Sequence, residues 1–283
     1  MLEVVGPGAP FTTLFDEQDL VGVALPDAFR SIYGAWPLPE PHAERPFTYV
    51  NFVMSHDGRV SFNEPGHLGG GDISRRDDHD RWLMGLLRAR ADAVLVGGSS
   101  IEAAGNQVWT AQSVFPDDAT SWQALREQER RTPVPLLVVL TRSGTVPQHA
   151  PALDDPDLPV LVATTTEGEQ RARSILGERA WVRYITTGDR LDQREVLRRL
   201  RSEGVRTLLS EGGPQIYANL INDELIDDAF VTLSPIMVGE SDAKPRPSLI
   251  EGVAFDVRHP PHLRLLSAHR HGSYLYLHAR YER

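Results

Sequence analysis

The chain has 283 residues, of which 41% are hydrophobic and 24% charged, a composition typical of an ordinary globular protein. Its formal net charge of -10 argues against a nucleic-acid partner, because nucleic-acid surfaces normally carry a basic excess. It contains no cysteine, which excludes disulfide frameworks, thiolate zinc sites and cysteine nucleophiles. We find neither a signal peptide nor a membrane-length apolar run, and we therefore expect a cytoplasmic protein without a membrane partner.

Residues 1–45 are rich in proline and irregular, with one short helix predicted around Asp27 to Tyr33. We interpret this segment as an N-terminal arm that lies on a main domain of residues 46–283.

From Phe47 onward, short apolar runs alternate with helical stretches. The runs that predict strands are FTYVNFVMS, DAVLVGG, PLLVVLT, PVLVAT, WVRYIT, RTLLSE and AFVTLSPIMVG. Continuous apolar runs of this kind are typical of strands covered on both faces. HLRLLSAHR and SYLYLHARY instead alternate apolar and polar residues around a turn at His271 and Gly272, which predicts an antiparallel hairpin at one edge of the sheet.

The helical stretches between the strands include DHDRWLMGLLRARA, DQREVLRRLRSEG and PQIYANLINDEL. Strand–helix alternation predicts an α/β fold with a mostly parallel central sheet and helices on both faces. Parallel sheets bind ligands beyond the carboxyl ends of their strands, and the motifs of interest all lie at such ends.

Two predicted strands end in paired glycines. In RTLLSEGGPQ the strand leads to Glu211, Gly212 and Gly213, and Pro214 suits a first helical turn whose free N–H groups can bind phosphate. In DAVLVGGSS the strand ends at Gly97 and Gly98, before Ser99 and Ser100. Two adjacent backbone cradles fit the pyrophosphate of a dinucleotide, although tight turns and a serine helix cap explain each motif taken singly.

Three further motifs supply polar groups, each with a simpler structural explanation. Ser55 and Asp57 follow the strand NFVM, where an Asp-Gly turn is the ordinary reading. Arg81 and Arg88 share one helix face, where an arginine can grip a phosphate or simply be solvated. LTRSG places Thr141, Arg142 and Ser143 at a strand end, where they suit the 2′-phosphate of NADP or form a surface turn.

The ten histidines are scattered. His269 and His271 fall on one face of the terminal hairpin, but no carboxylate is spaced nearby to complete a metal site. We therefore predict surface histidines and no metal.

Together the motifs resemble the reductase domain of riboflavin biosynthesis, which has a dihydrofolate-reductase-like three-layer fold. MSHDGRV is similar to that family's MSLDGR-type loop, and LLRARADAVLVGGSS to its LRARADAVLVGAGT strand. LLSEGGPQIYANLINDELIDDAFVTLSPIMVG is similar to its strand-EGGP-helix-strand end. Three ordered motifs at these separations are far more specific than any one alone.

The resemblance implies a homodimer that uses NADPH to reduce the ribosyl group of 5-amino-6-(5-phosphoribosylamino)uracil to ribityl. It implies a phosphorylated pyrimidine as the small-molecule partner, bound by Asn51, Ser55, Asp57, Arg88 and Glu211, with Arg88 on the phosphate. Asp57 or Glu211 is the candidate for placing the proton. The implied cofactor-binding residues are Val53, Gly97, Gly98, Ser99, Ser100, Thr141, Arg142, Ser143, Gly212, Gly213, Pro214, Gln215 and Ile216.

One departure from the family pattern bears on the substrate. IEAAGNQVWT replaces a DDP-x-L-type run and the basic residue that follows it in the family. Two alternatives therefore stay open: an NADPH-dependent reductase of dihydrofolate or another heterocycle, and a non-catalytic nucleotide-binding protein.

Overall fold

A single ten-stranded sheet organises the chain, of which the computed structural model describes residues 3–19 and 21–282. Its spatial order is β1-β9-β10-β8-β2-β7-β3-β4-β5-β6. The strands are β1 Thr12–Asp16, β2 Phe47–Met54, β3 Ala93–Gly97, β4 Leu136–Leu140, β5 Val160–Thr164, β6 Val182–Thr186, β7 Thr207–Ser210, β8 Asp228–Leu233, β9 His262–His271 and β10 Tyr274–Glu282.

The run of strands from β8 to β6 is parallel throughout, as the apolar runs predicted. Its side chains alternate between two hydrophobic clusters, one on each face. In β3, Val94 and Val96 belong to one cluster, and Ala93 and Leu95 to the other. Both faces are therefore buried in the middle of the sheet, which is why β3 and β4 consist entirely of apolar residues and glycine.

Helices cover both faces, which confirms the predicted three-layer α/β fold. They are α1 Asp27–Tyr33, α2 Gly70–Ile73, α3 Asp78–Ala89, α4 Gly98–Ala104, α5 Ala111–Val114, α6 Ala119–Gln128, α7 Pro151–Asp154, α8 Thr166–Leu176, α9 Gln193–Ser202 and α10 Pro214–Asn222. α3, α6 and α8 pack on one face, and α9 and α10 on the other. No helix among residues 3–19 and 21–282 is long and apolar enough to cross a membrane.

β9 and β10 form the predicted antiparallel hairpin, and β10 pairs with β8. The hairpin is not the outermost element, however, because β1 from the N-terminal segment pairs with β9. The same segment contributes Phe11, Tyr33 and Trp36 to the core, each at most 6% exposed. The described residues of this segment, 3–19 and 21–45, thus belong to the packed structure, and a division of the chain after residue 45 stays a prediction.

Candidate active site

The carboxyl ends of β3, β4 and β7 open onto one cleft of about 1160 Å³, here called the strand-end cleft. It collects predicted cofactor residues from three separate turns, because parallel strands deliver their ends to the same edge of the sheet. Those that line it are Gly97, Gly98, Ser99, Thr141, Arg142, Ser143, Gln215 and Ile216. A second pocket of about 570 Å³ shares four of these residues and adds Gly213 and Pro214.

The paired glycines serve two different purposes. A Cβ on Gly98 would lie 2.7 Å from the carbonyl oxygen of Thr145, and one on Gly212 would lie 2.8 Å from the side chain of Ile216. Both glycines are therefore required by packing. A Cβ on Gly213 would meet nothing within 4 Å, so the backbone there borders open space.

The start of α10 is open to an anion. Gly213 is its N-cap and offers no side chain, and its carbonyl accepts from the N–H groups of Ile216 and Tyr217. The N–H groups of Gly213 and Gln215 have no partner in the described part of the chain. Free N–H groups and the positive end of a nine-residue helix favour a phosphate at this point.

The strand-end cleft is lined by charged groups of both signs, the arginines Arg142 and Arg190 and the carboxylates Glu102, Asp189 and Asp223. Arg142 is exposed and its side chain has no hydrogen bond or ion pair among the described residues, while the Ser143 hydroxyl lies 3.0 Å from that of Thr145. Arg190 lines the same cleft and was not predicted from the sequence, because it lies in the exposed loop after β6, beyond the recognised motifs. Arg142 and the Ser143 hydroxyl, which come from the same turn, are suited to a terminal phosphate.

Ser55 and Asp57 form a structural clamp beside the site. The Ser55 hydroxyl donates to Asp57 at 2.6 Å, and the N–H groups of Val238 and Gly239 donate at 3.0 and 2.7 Å. Burial alone would raise the pKa of Asp57, but these hydrogen bonds outweigh it and lower the pKa to about 2. The carboxylate thus holds the loop after β2 against the segment after β8.

Arg88 and Glu211 form a bidentate ion pair. The Arg88 guanidinium donates to the two Glu211 oxygens at 2.9 and 2.6 Å, and its remaining nitrogen faces the carbonyls of Val108 and Thr110 at 3.4 Å. The Arg88 side chain is fully buried and that of Glu211 is 10% exposed. This burial does not fit the predicted contact between Arg88 and a substrate phosphate. Arg88 is instead placed to orient the Glu211 carboxylate.

The other predicted residues lie outside the lining of the strand-end cleft. Asn51 is half-buried in β2 opposite Phe230, and Val53 packs in a small cluster with Ile73 and Val238. Ser100 and Gly212 flank the cleft without lining it or its neighbour. Gly212 acts through its close packing on Ile216.

Asp80 was missed by sequence reasoning. It lies in the first turn of α3 and is 4% exposed. Burial raises its pKa to about 6, and the negative charges of Asp77 and Glu211 act in the same direction. No motif marked it, because its surroundings come from the distant strands β7 and β8 as well as from its own helix.

His269 also departs from prediction. It was expected at the surface but is fully buried, with its ring 4.6 Å from that of Tyr33. The arm that covers β9 produces this burial.

Comparison with known proteins identifies the family. The sequence model described as the RibD C-terminal domain matches residues 46–277, most of the chain. This chain belongs to the RibD C-terminal domain family. The RibD-type match begins where the irregular N-terminal segment gives way to β2.

Relatives of this RibD-domain chain include reductases of the same pathway. It is 25% identical to the 2,5-diamino-6-ribosylamino-4(3H)-pyrimidinone 5′-phosphate reductase of Archaeoglobus fulgidus, over 75% of this chain and 89% of that protein. It is 26% identical to the protein of that name from Methanothermobacter thermautotrophicus, over 75% and 87%. Among solved structures, a pyrimidine reductase-like protein of Corynebacterium diphtheriae shares the fold with a TM-score of 0.68 and 21% identity, over 90% of this chain and 98% of that one.

Reductases of the RibD type imply a nicotinamide cofactor. The strand-end cleft fits such a group. The cleft is lined by the guanidinium groups of Arg142 and Arg190, and the pocket beside it offers an uncapped helix start at Gly213, where a Cβ would meet nothing within 4 Å.

Proposed function

We propose that this protein is an NADPH-dependent reductase of riboflavin biosynthesis, which reduces the ribosyl group of a phosphoribosylaminopyrimidine to ribityl. The observation that carries the proposal is the convergence of three strand-end turns, each predicted separately, on the strand-end cleft. Its location at the carboxyl edge of a parallel sheet is the usual one for nucleotide cofactors. Family membership and the names of the relatives support the reaction.

NADPH supplies the hydride when bound. The N–H groups of Gly213 and Gln215 hold the pyrophosphate at the start of α10, where the helix dipole favours negative charge. Arg142 and Ser143 would hold the 2′-phosphate, and Arg190 lines the same cleft.

Glu211 positions the substrate. Arg88 fixes the Glu211 carboxylate in one orientation, and the Glu211 N–H donates to the carbonyl of Leu95 at 2.8 Å. A carboxylate fixed at both its backbone and its side chain is preorganised to accept hydrogen bonds from hydroxyl or amino groups of the substrate.

Reduction also consumes one proton. Asp57 is a poor donor, because its pKa of about 2 leaves it ionised and its oxygens already accept hydrogen bonds. Of the two carboxylates predicted for this role, Glu211 is therefore our candidate for placing the proton or its water. Asp80 is buried and lines neither the strand-end cleft nor the pocket beside it, so its raised pKa alone assigns it no step.

With Arg88 committed to Glu211, the substrate phosphate needs other cations. Arg75 and Arg76 line a pocket of about 400 Å³, and their side chains have no hydrogen bond or ion pair among the described residues. Both have a positive φ, at 54° and 55°, a conformation that costs non-glycine residues free energy and is often kept at functional sites. Glu64 joins this pocket to the one bordered by Gly213, because it bonds to Arg246 of the latter at 2.9 Å. We assign the substrate phosphate to Arg75 and Arg76.

The decisive test follows NADPH oxidation by its loss of absorbance, with two substrates that differ at one ring position. One is the 2-amino pyrimidinone phosphate after which the archaeal relatives are named, and the other is the uracil phosphate after which a Thermotoga maritima enzyme of the same fold is named. We expect turnover with one of them. Turnover with dihydrofolate alone would assign the heterocycle alternative, and NADPH binding without any turnover would assign the non-catalytic one.

We also propose the homodimer that the resemblance implies. One face of β8, β9 and β10 carries half-exposed or exposed apolar side chains, among them Leu263 at 44% and Leu265 at 39% exposure. A sheet face of this kind is suited to a second copy of the chain. Sedimentation velocity of the protein with Leu263→Lys should show a monomer if this face forms the dimer.

A further inference from the structure

Two imidazole rings and a carboxylate meet away from the strand-end cleft. Asp77 is the N-cap of α3, His79 lies in the first turn of that helix, and His271 is the last residue of β9. One potential ligand atom from each lies within 4.8 Å of the others. The two rings are stacked, with centroids 3.4 Å apart and planes inclined by 12°. We call these residues the Asp77–His79–His271 cluster.

The hydrogen bonds around His79 leave one of its nitrogens free. Its Nε2 lies 2.9 Å from the carbonyl oxygen of Ala9. A carbonyl oxygen only accepts, so Nε2 carries the proton and Nδ1 carries a lone pair.

The other two members also offer lone pairs. Nδ1 of His271 is buried and has no hydrogen-bond partner in the described part of the chain. One oxygen of Asp77 accepts from the Asp80 N–H at 3.0 Å and from the Tyr276 hydroxyl at 2.7 Å. The second oxygen of Asp77 accepts no such bond from residues 3–19 or 21–282. A buried imidazole nitrogen without a partner is costly, and a cation would remove that cost.

We propose that the Asp77–His79–His271 cluster binds one zinc ion. Neutral imidazole nitrogens and a carboxylate oxygen are the ligands zinc takes, with water completing a tetrahedron. The surrounding bonds match the usual outer support of such sites, where the far nitrogen of a ligating histidine donates to a carbonyl and the carboxylate is itself hydrogen-bonded. Binding draws the ligand atoms to about 3.3 Å from one another and opens the stacked rings so that both lone pairs converge.

The zinc ion would link the start of α3 to the end of β9, and its outer contact at Ala9 would include the arm. None of the three ligands lines the strand-end cleft or the pocket beside it. The site is therefore structural, and its test measures metal binding and not reductase activity. Sequence reasoning missed it because Asp77 and His79 are far from His271 along the chain.

The test is zinc binding by the full-length, tag-free protein after treatment with a chelator. Titration with zinc chloride alone, in competition with a chromophoric chelator, should give one site per chain. His271→Gln and Asp77→Asn should each weaken it by more than about 100-fold, and Tyr276→Phe by roughly 10- to 100-fold through the outer shell. Cobalt(II) in place of zinc should give the visible absorption bands of a tetrahedral site.

The matched control is His149→Gln. It removes an exposed histidine that lies 3.6 Å from Asp154, the kind of surface pair that binds zinc adventitiously. We expect this variant to bind zinc like the wild type. Circular dichroism of each variant separates loss of a ligand from loss of the fold, and His271→Gln and Asp77→Asn are chosen because they preserve side-chain size. Absence of binding, or equal binding by wild type, His271→Gln and Asp77→Asn, would overturn the proposal.

Discussion

The buried ion pair between Arg88 and Glu211 gives the sharpest prediction. Arg88→Met removes both charge-assisted bonds, at 2.9 and 2.6 Å, and leaves the Glu211 carboxylate only 10% exposed and without its cation. Breaking one partner of a buried pair typically costs about 3–5 kcal/mol of unfolding free energy. At about 2–4 °C per kcal/mol for a chain near this size, Tm should fall by roughly 6–20 °C.

The assay is thermal unfolding followed by circular dichroism, for the wild type, Arg88→Met, Glu211→Gln and the double variant. The double variant should lose less stability than the two single variants added together, because neither charge is then left buried alone. Arg81→Met is the control on the same helix. Arg81 pairs with the exposed Asp78 and donates to the Val114 carbonyl at 2.9 Å, so its loss should cost about 1–2 kcal/mol, less than that of Arg88.

A different result would refute this reasoning. If Arg88→Met melted together with Arg81→Met while the KM for the phosphorylated substrate rose steeply, Arg88 would contact the phosphate as the sequence predicted. The ion pair would then not be the group that fixes Glu211.

Three further predictions concern the site. Gly98→Ala should lower the unfolding free energy by about 1–3 kcal/mol, because the new Cβ would lie 2.7 Å from the carbonyl oxygen of Thr145. Gly213→Ala should keep the wild-type Tm, because its Cβ would meet nothing within 4 Å, and should weaken NADPH binding measured by calorimetry. Arg142→Ala should raise the Kd for NADPH roughly 10- to 100-fold, because it removes a charge-assisted bond to the 2′-phosphate. The Kd for NADH, which lacks this phosphate, should be unchanged. Asp80→Asn should stabilise the protein at pH 8 by about 3 kcal/mol and make little difference at pH 3. The pKa of Asp80 is about 6 in the folded protein and 3.8 in the unfolded chain, so ionisation of Asp80 opposes folding as the pH rises from about 4 to 6 and above. Equal unfolding free energies for the variant and the wild type at pH 8 would contradict this prediction.

The parallel part of the fold was predictable because both of its faces are buried. Short apolar runs such as AVLVG in β3 predict buried strands, and the turn residues between the runs mark where the strands end. β1 was not predictable, since TTLFD is exposed along most of its length and its partner β9 lies at the other end of the chain. Nothing local in such a segment indicates pairing.

The site was predictable where backbone requirements leave a mark in the sequence. The glycines at positions 97, 98, 212 and 213 indicated close approach, although only the structure separates packing at Gly98 from open space at Gly213. The sequence does not indicate which charged side chains form ion pairs with each other. Arg88 and Glu211 are in contact although more than a hundred residues separate them, so the sequence alone could not show that Arg88 is committed to Glu211.

The pairing of β1 with β9 has a consequence for synthesis of the chain. Thr12 aligns with Arg270, so the first strand leaves the ribosome long before its partner exists. At about 5–20 residues per second, that delay lasts tens of seconds. During it the aromatic ring of Phe11, later buried against Tyr276, is exposed to water and open to capture by chaperones. The last step of folding should therefore be post-translational closure of the N-terminal segment over the finished hairpin.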